Sequence, residues 1–268
     1  MSALTWAVAD GLVVAKRNLI KIKRVPEMIV WILLSPIMFV LLFAYVFGGA
    51  IDVGGGIGYR EFLIAGVFAQ TVVFGATYTG ASLAEDMQKG IIDRFRSLPM
   101  SRSAVLIGRT ASDVFNNILS IGIMALTGLL VGWRIRTSLW DAVAGFALLL
   151  LFSYAFSWLM AVVGLLVPNV EVINNASFMV IMPLTFISNA FVPIDGFPTP
   201  LRIFAEWNPV SAVTQAAREL FGNTNPAAAA SEAWSMQNSV LYTLIWIGVI
   251  LAIFVPLSVR LYKKSVTK

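Results

Sequence analysis

The chain has 268 residues, of which 59% are hydrophobic and only 12% charged. A water-soluble domain carries about 25% charged residues, so there is too little polar material to clothe a core of this size in water, and lipid must face much of the surface. The formal net charge is +5, and there is no Cys and no His. Disulfides, thiolate chemistry, imidazole metal sites and histidine acid–base catalysis are thereby excluded, and the positive balance points to anionic headgroups on the cytoplasmic side rather than to nucleic acid.

In chain order, residues 1–27 form an N-terminal cytoplasmic segment in which Ala3 to Lys23 read as an amphipathic helix on the inner leaflet. Leu4, Val8, Leu12, Ala15, Leu19 and Ile22 recur at helical spacing, with Lys16, Lys21 and Lys23 off that stripe; a disordered basic tail is the alternative. A cleavable signal peptide is not indicated, because the basic residues follow the first apolar stretch and the first span is too long. A spanning helix needs about 20 apolar residues. Six runs meet that need: Met28 to Gly48, about Phe62 to Leu83, about Val114 to Trp133, Ala142 to Val167, about Val172 to Val192, and about Val240 to Val259. The fold expected is an all-α integral membrane protein, with a six-helix domain over 28–260 and a cytoplasmic tail at 261–268. Pro36, Pro183 and Pro256 lie inside spans and are expected to kink rather than break them.

Orientation follows from Lys and Arg placement. One side carries Lys16, Arg17, Lys21, Lys23, Arg24, Lys89, Arg94, Arg96, Arg102, Arg109, Arg260, Lys263, Lys264 and Lys268; the other carries Arg60, Arg134, Arg136, Arg202 and Arg218. Both termini are therefore expected in the cytoplasm, which also requires an even number of spans.

Three polar regions remain. The loop Glu85 to Arg102 reads EDMQKGIIDRFRSLPMSR; Ile91, Ile92, Phe95 and Leu98 form an apolar strip, and Pro99 stops any helix near Leu98. It reads equally as an amphipathic helix for a partner groove and as a solvated loop with ordinary positive-inside charge. The outer segment 194–238 opens with a turn-rich PIDGFPTP. A helix then starts at Asn208-Pro209, carries Val210, Val213, Ala217, Leu220 and Phe221 on one face, and ends at Gly222-Asn223. With Arg218 and Glu219 it is too polar to span, so it dips into the outer leaflet or caps the bundle; Ala227 to Ala230 reads as linker or a helix start. The third region is the fifth span with its approach: Asn169, Glu171, Asn174, Asn175, Ser177, Thr185, Ser188 and Asn189. Such groups face the protein interior or a cavity, or simply bond helix to helix.

No GxxxxGK[ST] phosphate loop is present; the run Gly54-Gly55-Gly56-Ile57-Gly58 lacks the following Lys-Ser/Thr. No nucleophile–base or carboxylate pair sits at membrane depth, no acidic residue lies at the middle of a span, and no polar pore ring is evident. An intramembrane enzyme, a proton-coupled carrier and an ion channel are disfavoured in turn.

Three stretches carry a resemblance: EDMQKGIIDRFRSLPMSR at 85–102, PLTFISNAFVP at 183–193 and NPVSAVTQAARELFG at 208–222. With the six-span layout they make the chain similar to the permease subunits of type-2 ABC exporters, and within them to the daunorubicin-resistance permeases. The resemblance implies a pair of permeases, two copies of this chain or this chain with a similar one, bound to two cytoplasmic ATPase subunits in a bacterial plasma membrane. ATP and Mg would sit in those partners, with no cofactor in this chain. It further implies that Glu85, Asp86, Gly90, Asp93, Arg94, Arg96 and Glu171 couple to the ATPase. A substrate path would run between two permeases, lined by Gln70, Thr71, Thr77 and Tyr78 of span two and Asn174, Ser177, Phe178, Thr185, Phe186 and Asn189 of span five. The expected cargo is a hydrophobic or amphipathic drug, antibiotic or lipid; export of polysaccharide or teichoic-acid precursors, and a membrane enzyme or scaffold without transport, are the alternatives.

Overall fold

Asn and Ser side chains set the starts of several helices, and lipid-length apolar runs set their lengths. A computed structural model of the chain describes residues 34, 37–48, 51, 53, 57–90, 104–167, 169–224 and 232–265, with 104–109, 111 and 263–265 described by backbone alone. The expected N-terminal amphipathic helix, residues 28–33, 35 and 36 of the first span, the loop residues Asp93, Arg94 and Arg96, and the Ala227 to Ala230 tract lie outside the described residues.

Every regular element among the described residues is a helix. These are α1 (Ile37–Phe47, its last turn wound as a π-helix over Phe43–Phe47), α2 (Tyr59–Gln88), α3 (Ala104–Val131), α4 (Leu139–Leu166) and α5 (Val170–Phe186). A 3₁₀ turn (Ile194–Gly196) leads to α6 (Thr199–Trp207), α7 (Pro209–Phe221), the single turn α8 (Trp234–Gln237) and α9 (Ser239–Ser265). Four of these, α2, α3, α4 and α9, are long and apolar enough to cross a membrane. They correspond to the second, third, fourth and sixth expected spans. Helix α5 has 17 residues, about 25 Å at 1.5 Å per residue, against a hydrocarbon core of about 30 Å. It stops at Phe186, six residues before the expected Val192, and residues 187–192 turn instead of spanning.

The caps explain where the helices begin. The Ser138 hydroxyl accepts from the Asp141 amide at 3.2 Å and starts α4. The Asn169 side-chain oxygen Oδ1 accepts from the Glu171 and Val172 amides and starts α5. These satisfy amide groups that a helix start otherwise leaves orphaned. Pro256 stands inside α9 without ending it, because neighbouring helices can supply what the missing amide hydrogen cannot.

Helices α2 and α4 form the centre of the bundle: α2 packs against α3, α4, α5 and α7, and α4 against α2, α3, α5, α7 and α9. The most apolar stretch of α2 is 61% buried, as is that of α4, against 17% for α9, which therefore lies on the perimeter. The α2–α4 seam works by closeness: a Cβ on Gly80 would come within 2.7 Å of the Met160 carbonyl oxygen, and one on Gly164 within 2.4 Å of the Gly80 carbonyl oxygen. In lipid, where apolar helices gain nothing by avoiding water, such backbone approach is what holds helices together.

Two ends result. At the plug end lie the start of α2, the 132–138 connection and the whole 187–224 segment, joined by the bonds described below. At the loop end, Leu83 of α2 clusters with Trp158, Ala161 and Leu165 of α4 and Tyr262 of α9, so α2, α4 and α9 all finish or begin there.

Candidate functional site

The plug end is organised by one buried cation. Helix α7 begins where expected, with the Asn208 side-chain oxygen Oδ1 accepting from the Val210 amide at 2.8 Å and Pro209 in its first turn, and ends at Gly222 with φ +73°. Its buried surface is not a single apolar face: Ser211, Thr214 and Arg218 are buried along with Val210, Val213 and Phe221. The Arg218 guanidinium is almost fully enclosed. Its Nε donates to the Phe62 carbonyl at 3.0 Å, and one terminal nitrogen donates to the carbonyls of Asn189 at 2.8 Å and Ala190 at 3.1 Å. The guanidinium carbon lies 3.5 Å from the centre of the Phe62 ring, a cation–π contact. Arginine cannot shed its proton, so the charge is held by carbonyl dipoles and an aromatic face.

The Asn189 and Ala190 carbonyls are free because α5 has ended. The Asn208 side-chain amide donates to the carbonyls of Leu184 at 2.6 Å and Ile187 at 2.8 Å, capping the end of α5 from a distance of about twenty residues. The Ser211 hydroxyl accepts from the Asn189 amide, and the Tyr59 hydroxyl donates to the Phe191 carbonyl at 3.0 Å. Gly66 of α2 admits the turn: a Cβ there would meet the Ala190 carbonyl oxygen at 1.9 Å. The 132–138 connection closes the knot from the other side. The Arg136 amide donates to the Phe221 carbonyl, its guanidinium pairs with Glu61 at 2.8 Å, and the Trp133 ring amine donates to Asn223 at 2.7 Å. Arg136, on the exposed connection, is held above its ordinary pKa by the hydrogen bond and charge of Glu61.

The expected path residues fall in two environments. Gln70, Thr71, Thr77 and Tyr78 lie half-buried along one side of α2, with Phe74 between them. Phe74 meets Phe178 of α5, ring centres 6.4 Å apart, so spans two and five do come together there. On α5, Asn174, Phe178 and Phe186 are exposed, whereas Ser177, Thr185 and Asn189 are buried. Positions 174, 178, 181 and 185 share an angular face, as their spacing requires, but that face is open at the Asn174 end and covered at the Thr185 end. The packed stripe is Ile173, Ser177, Ile181 and Thr185. The Thr185 hydroxyl donates to the Ile181 carbonyl at 2.7 Å, a bond internal to α5. Asn189 belongs to the knot, its side-chain amide reaching Gln215 at 3.4 Å.

Of the expected coupling residues, Glu85 pairs with Lys89 four residues on at 2.5 Å, and the pair lifts the exposed Lys89 ammonium above its ordinary pKa. Asp86 is buried. Gly90 has φ +63° and, among the described residues, nothing within 4 Å of where a Cβ would stand, so its left-handed backbone serves the turn that leaves α2. Glu171 is exposed in the first turn of α5, where a negative charge suits the helix dipole.

Sequence reasoning missed one group. Starting the third span at Val114 placed Asp113 just outside it; α3 in fact begins at Ala104, and Asp113 is buried nine residues in. The Thr79 hydroxyl of α2 donates to its carboxylate. Thr110, Asp113, Asn117 and Ser120 are all buried. Their three- and four-residue spacing is one helical face, and that spacing was the available signal.

Comparison with known proteins agrees with this architecture. The family described as ABC-2 type transporter matches residues 11–221. The chain is 33% identical over 263 residues, 98% of its own length and 89% of the relative's, to the daunorubicin resistance ABC transporter permease protein DrrB1 of Streptomyces coeruleorubidus. It is 25% identical, over 80% of this chain and 74% of the relative, to a putative transport permease, ycf38, of Cyanophora paradoxa. It is 22% identical, over 79% and 76%, to the probable doxorubicin resistance ABC transporter permease protein DrrC of Mycobacterium tuberculosis.

Proposed function

The chain belongs to the ABC-2 type transporter family as a DrrB-like membrane permease, and we propose that it moves a hydrophobic or amphipathic drug or lipid outward across a bacterial plasma membrane, driven by ATP hydrolysed in a separate subunit. The observation that carries this reading is the likeness, along nearly the whole chain, to a permease named for resistance to daunorubicin. The open side of the bundle fits it. Half-buried Gln70, Thr71, Phe74 and Tyr78 on α2, with exposed Asn174 and Phe178 on α5, mix aromatic walls with a few donors and acceptors, as an amphipathic cargo needs.

In this reading six spans cross the membrane over residues 28–260, with both termini and the 85–102 loop in the cytoplasm and the 194–238 segment outside. Two permeases meet across the α2–α5 side, and two ATPase subunits holding ATP and Mg dock under the loops. Glu85, Asp86, Gly90, Asp93, Arg94, Arg96 and Glu171 present the docking surface. ATP binds the closed ATPase pair better than the open one. Only that difference in affinity can shift the bundle between inward-open and outward-open states. This chain makes and breaks no bond itself.

The test is copurification of the tagged chain with the ATPase encoded beside it, followed by ATP hydrolysis in liposomes with daunorubicin as probe. Copurification and drug-stimulated hydrolysis are expected. Hydrolysis stimulated only by undecaprenyl-linked glycans would instead identify a polysaccharide-precursor exporter, and no associated ATPase would remove the transporter reading altogether.

A further inference from the structure

The buried polar face of α3 lies against α2 at two levels one helical turn apart. At the first, the Thr79 hydroxyl donates to the Asp113 carboxylate. At the second, four residues earlier on α2 and four later on α3, Gly75 lies against Asn117, so close that a Cβ on Gly75 would come within 2.7 Å of the Asn117 side-chain oxygen. The Asn117 side-chain amide donates to the Asp113 carbonyl at 2.8 Å, tying the two levels together. Thr79, Asp113 and Asn117 are all buried. Thr79 stands nine residues from the last residue of α2, and Asp113 nine residues from the first residue of α3. The Thr79–Asp113 contact therefore lies about 13 Å, and the Gly75–Asn117 contact about 20 Å, inside the bundle from the two helix ends that the 89–103 connection joins.

This placement is mechanically specific. Two helices joined only by a loop at one end can splay at that end. A pair fixed at the loop and again about 13 Å deeper is a lever without a free hinge between. A buried carboxylate is an expensive residue for plain packing, and an apolar residue of similar size would hold two helices in lipid at no such cost. Its oxygen, however, gives a directional, charge-assisted bond that fixes rotation of one helix against the other, which apolar packing does not.

We propose that Thr79 and Asp113 are positioning residues that lock α2 and α3 into one rigid unit, so that movement of the loop between them reaches the α2 side facing α5 instead of dissipating in the loop. This rests on the permease reading given above. Asp113 touches neither cargo nor nucleotide; it acts through the orientation of α2, whose Gln70, Phe74 and Tyr78 line the open side.

The test uses the full chain reconstituted with its ATPase and daunorubicin as probe. Thr79→Val keeps shape and removes the donor, and Thr79→Ser keeps the donor. Thr79→Val is expected to copurify with the ATPase as the natural chain does, while the drug-stimulated increment of hydrolysis falls about tenfold, the scale of one buried charge-assisted hydrogen bond. Thr79→Ser retains the increment. Gly75→Ala loosens the same seam without removing a polar group, should Thr79→Val fail to insert, and is expected to lower the increment in the same direction. Because the chain has no Cys, spin labels at exposed Gln88 and Ile118, carried on labelled chain diluted in an excess of unlabelled chain, report the α2–α3 pair within one protomer. The natural chain should show one narrow distance with and without ATP, and Thr79→Val a broad one. If Thr79→Val lowers thermal stability yet keeps both the increment and the narrow distance, the bond merely holds the bundle and the proposal is overturned. If the natural chain shows no drug stimulation while its α2–α3 distance stays narrow, it is the permease reading that fails, and the transmission role falls with it.

Discussion

Arg218 illustrates what a single side chain can do when it is buried against backbone carbonyls. Its three bonds go to carbonyls of Phe62, Asn189 and Ala190, so it closes together α2, the turn after α5 and its own helix. Removing it would leave the buried Asn189 and Ala190 acceptors unsatisfied, each costing about 1–3 kcal/mol. Arg218→Ala is accordingly expected to destabilise the bundle by about 3–5 kcal/mol, seen as a lower unfolding temperature in detergent. Arg218→Lys should recover only part of this, because an ammonium cannot spread its donors across the fork that the guanidinium occupies. Equal stability of the Lys variant and the natural chain would show that only the charge matters. Gly66→Ala tests the other side of the same carbonyl, and the 1.9 Å approach to Ala190 leaves a methyl group no room, so α2 must shift. In the sequence Arg218 is legible only as a residue too polar for a spanning helix. The carbonyls that make its burial tolerable come from residues 28, 29 and 156 positions away, and no local pattern announces them.

Helix α5 shows how far an element can be read and where reading stops. Its start was legible to within two residues from the apolar run beginning at about Val172, and the cap that sets it, Asn169, was read only as a polar residue of the approach; α7 was legible at both ends, Asn208-Pro209 opening and Gly222 closing it. The end of α5 was not. Apolar residues continue to Val192, and hydropathy alone extends the helix to that point. What stops it is the Asn208 side chain taking the Leu184 and Ile187 carbonyls, a contact made only after the chain has returned. The two sides of α5 then separate two roles. Ile173 is fully buried and Phe178 is 56% exposed. Ile173→Ala should cost about 2–4 kcal/mol of stability through the cavity it leaves and keep the substrate profile. Phe178→Ala should cost about 0.5 kcal/mol or less, as exposed substitutions do, and change which compounds stimulate ATP hydrolysis by the complex. An unchanged stimulation profile across a panel of drugs would make Phe178 a lipid-facing or packing residue and remove the open side of α5 from the path.

At the scale of the whole molecule, the two ends of the bundle sort the charges without reference to any membrane. Arg60, Arg134, Arg136, Arg202 and Arg218 all fall at the plug end, tied there by Glu61, by the carbonyls of Val131 and Leu129, by Glu206 and by the knot. The opposite end has Lys89 leaving α2 and Arg260, Lys263 and Lys264 in the last turns of α9. The segregation that hydropathy assigned to two sides of a bilayer is thus also a segregation between two ends of a folded bundle. Trp140, Trp207 and Trp234 are exposed near the plug end, where amphipathic rings favour the headgroup layer. Basic residues are retained on the cytoplasmic side of a membrane, so the loop end is expected inside and the plug end outside. Single cysteines in this cysteine-free chain test it in intact cells with a membrane-impermeant maleimide. Positions chosen on exposed residues, Ser138 and Thr199 at the plug end and Lys89 at the loop end, separate the outcomes. Ser138 and Thr199 should label in intact cells and Lys89 only after the membrane is opened. Labelling of Lys89 from outside with protection of the other two would invert the whole bundle. Labelling of Ser138 without Thr199 would place the 187–224 segment on the other side from the 132–138 connection, which the Arg136 to Phe221 bond forbids, and would overturn the knot itself.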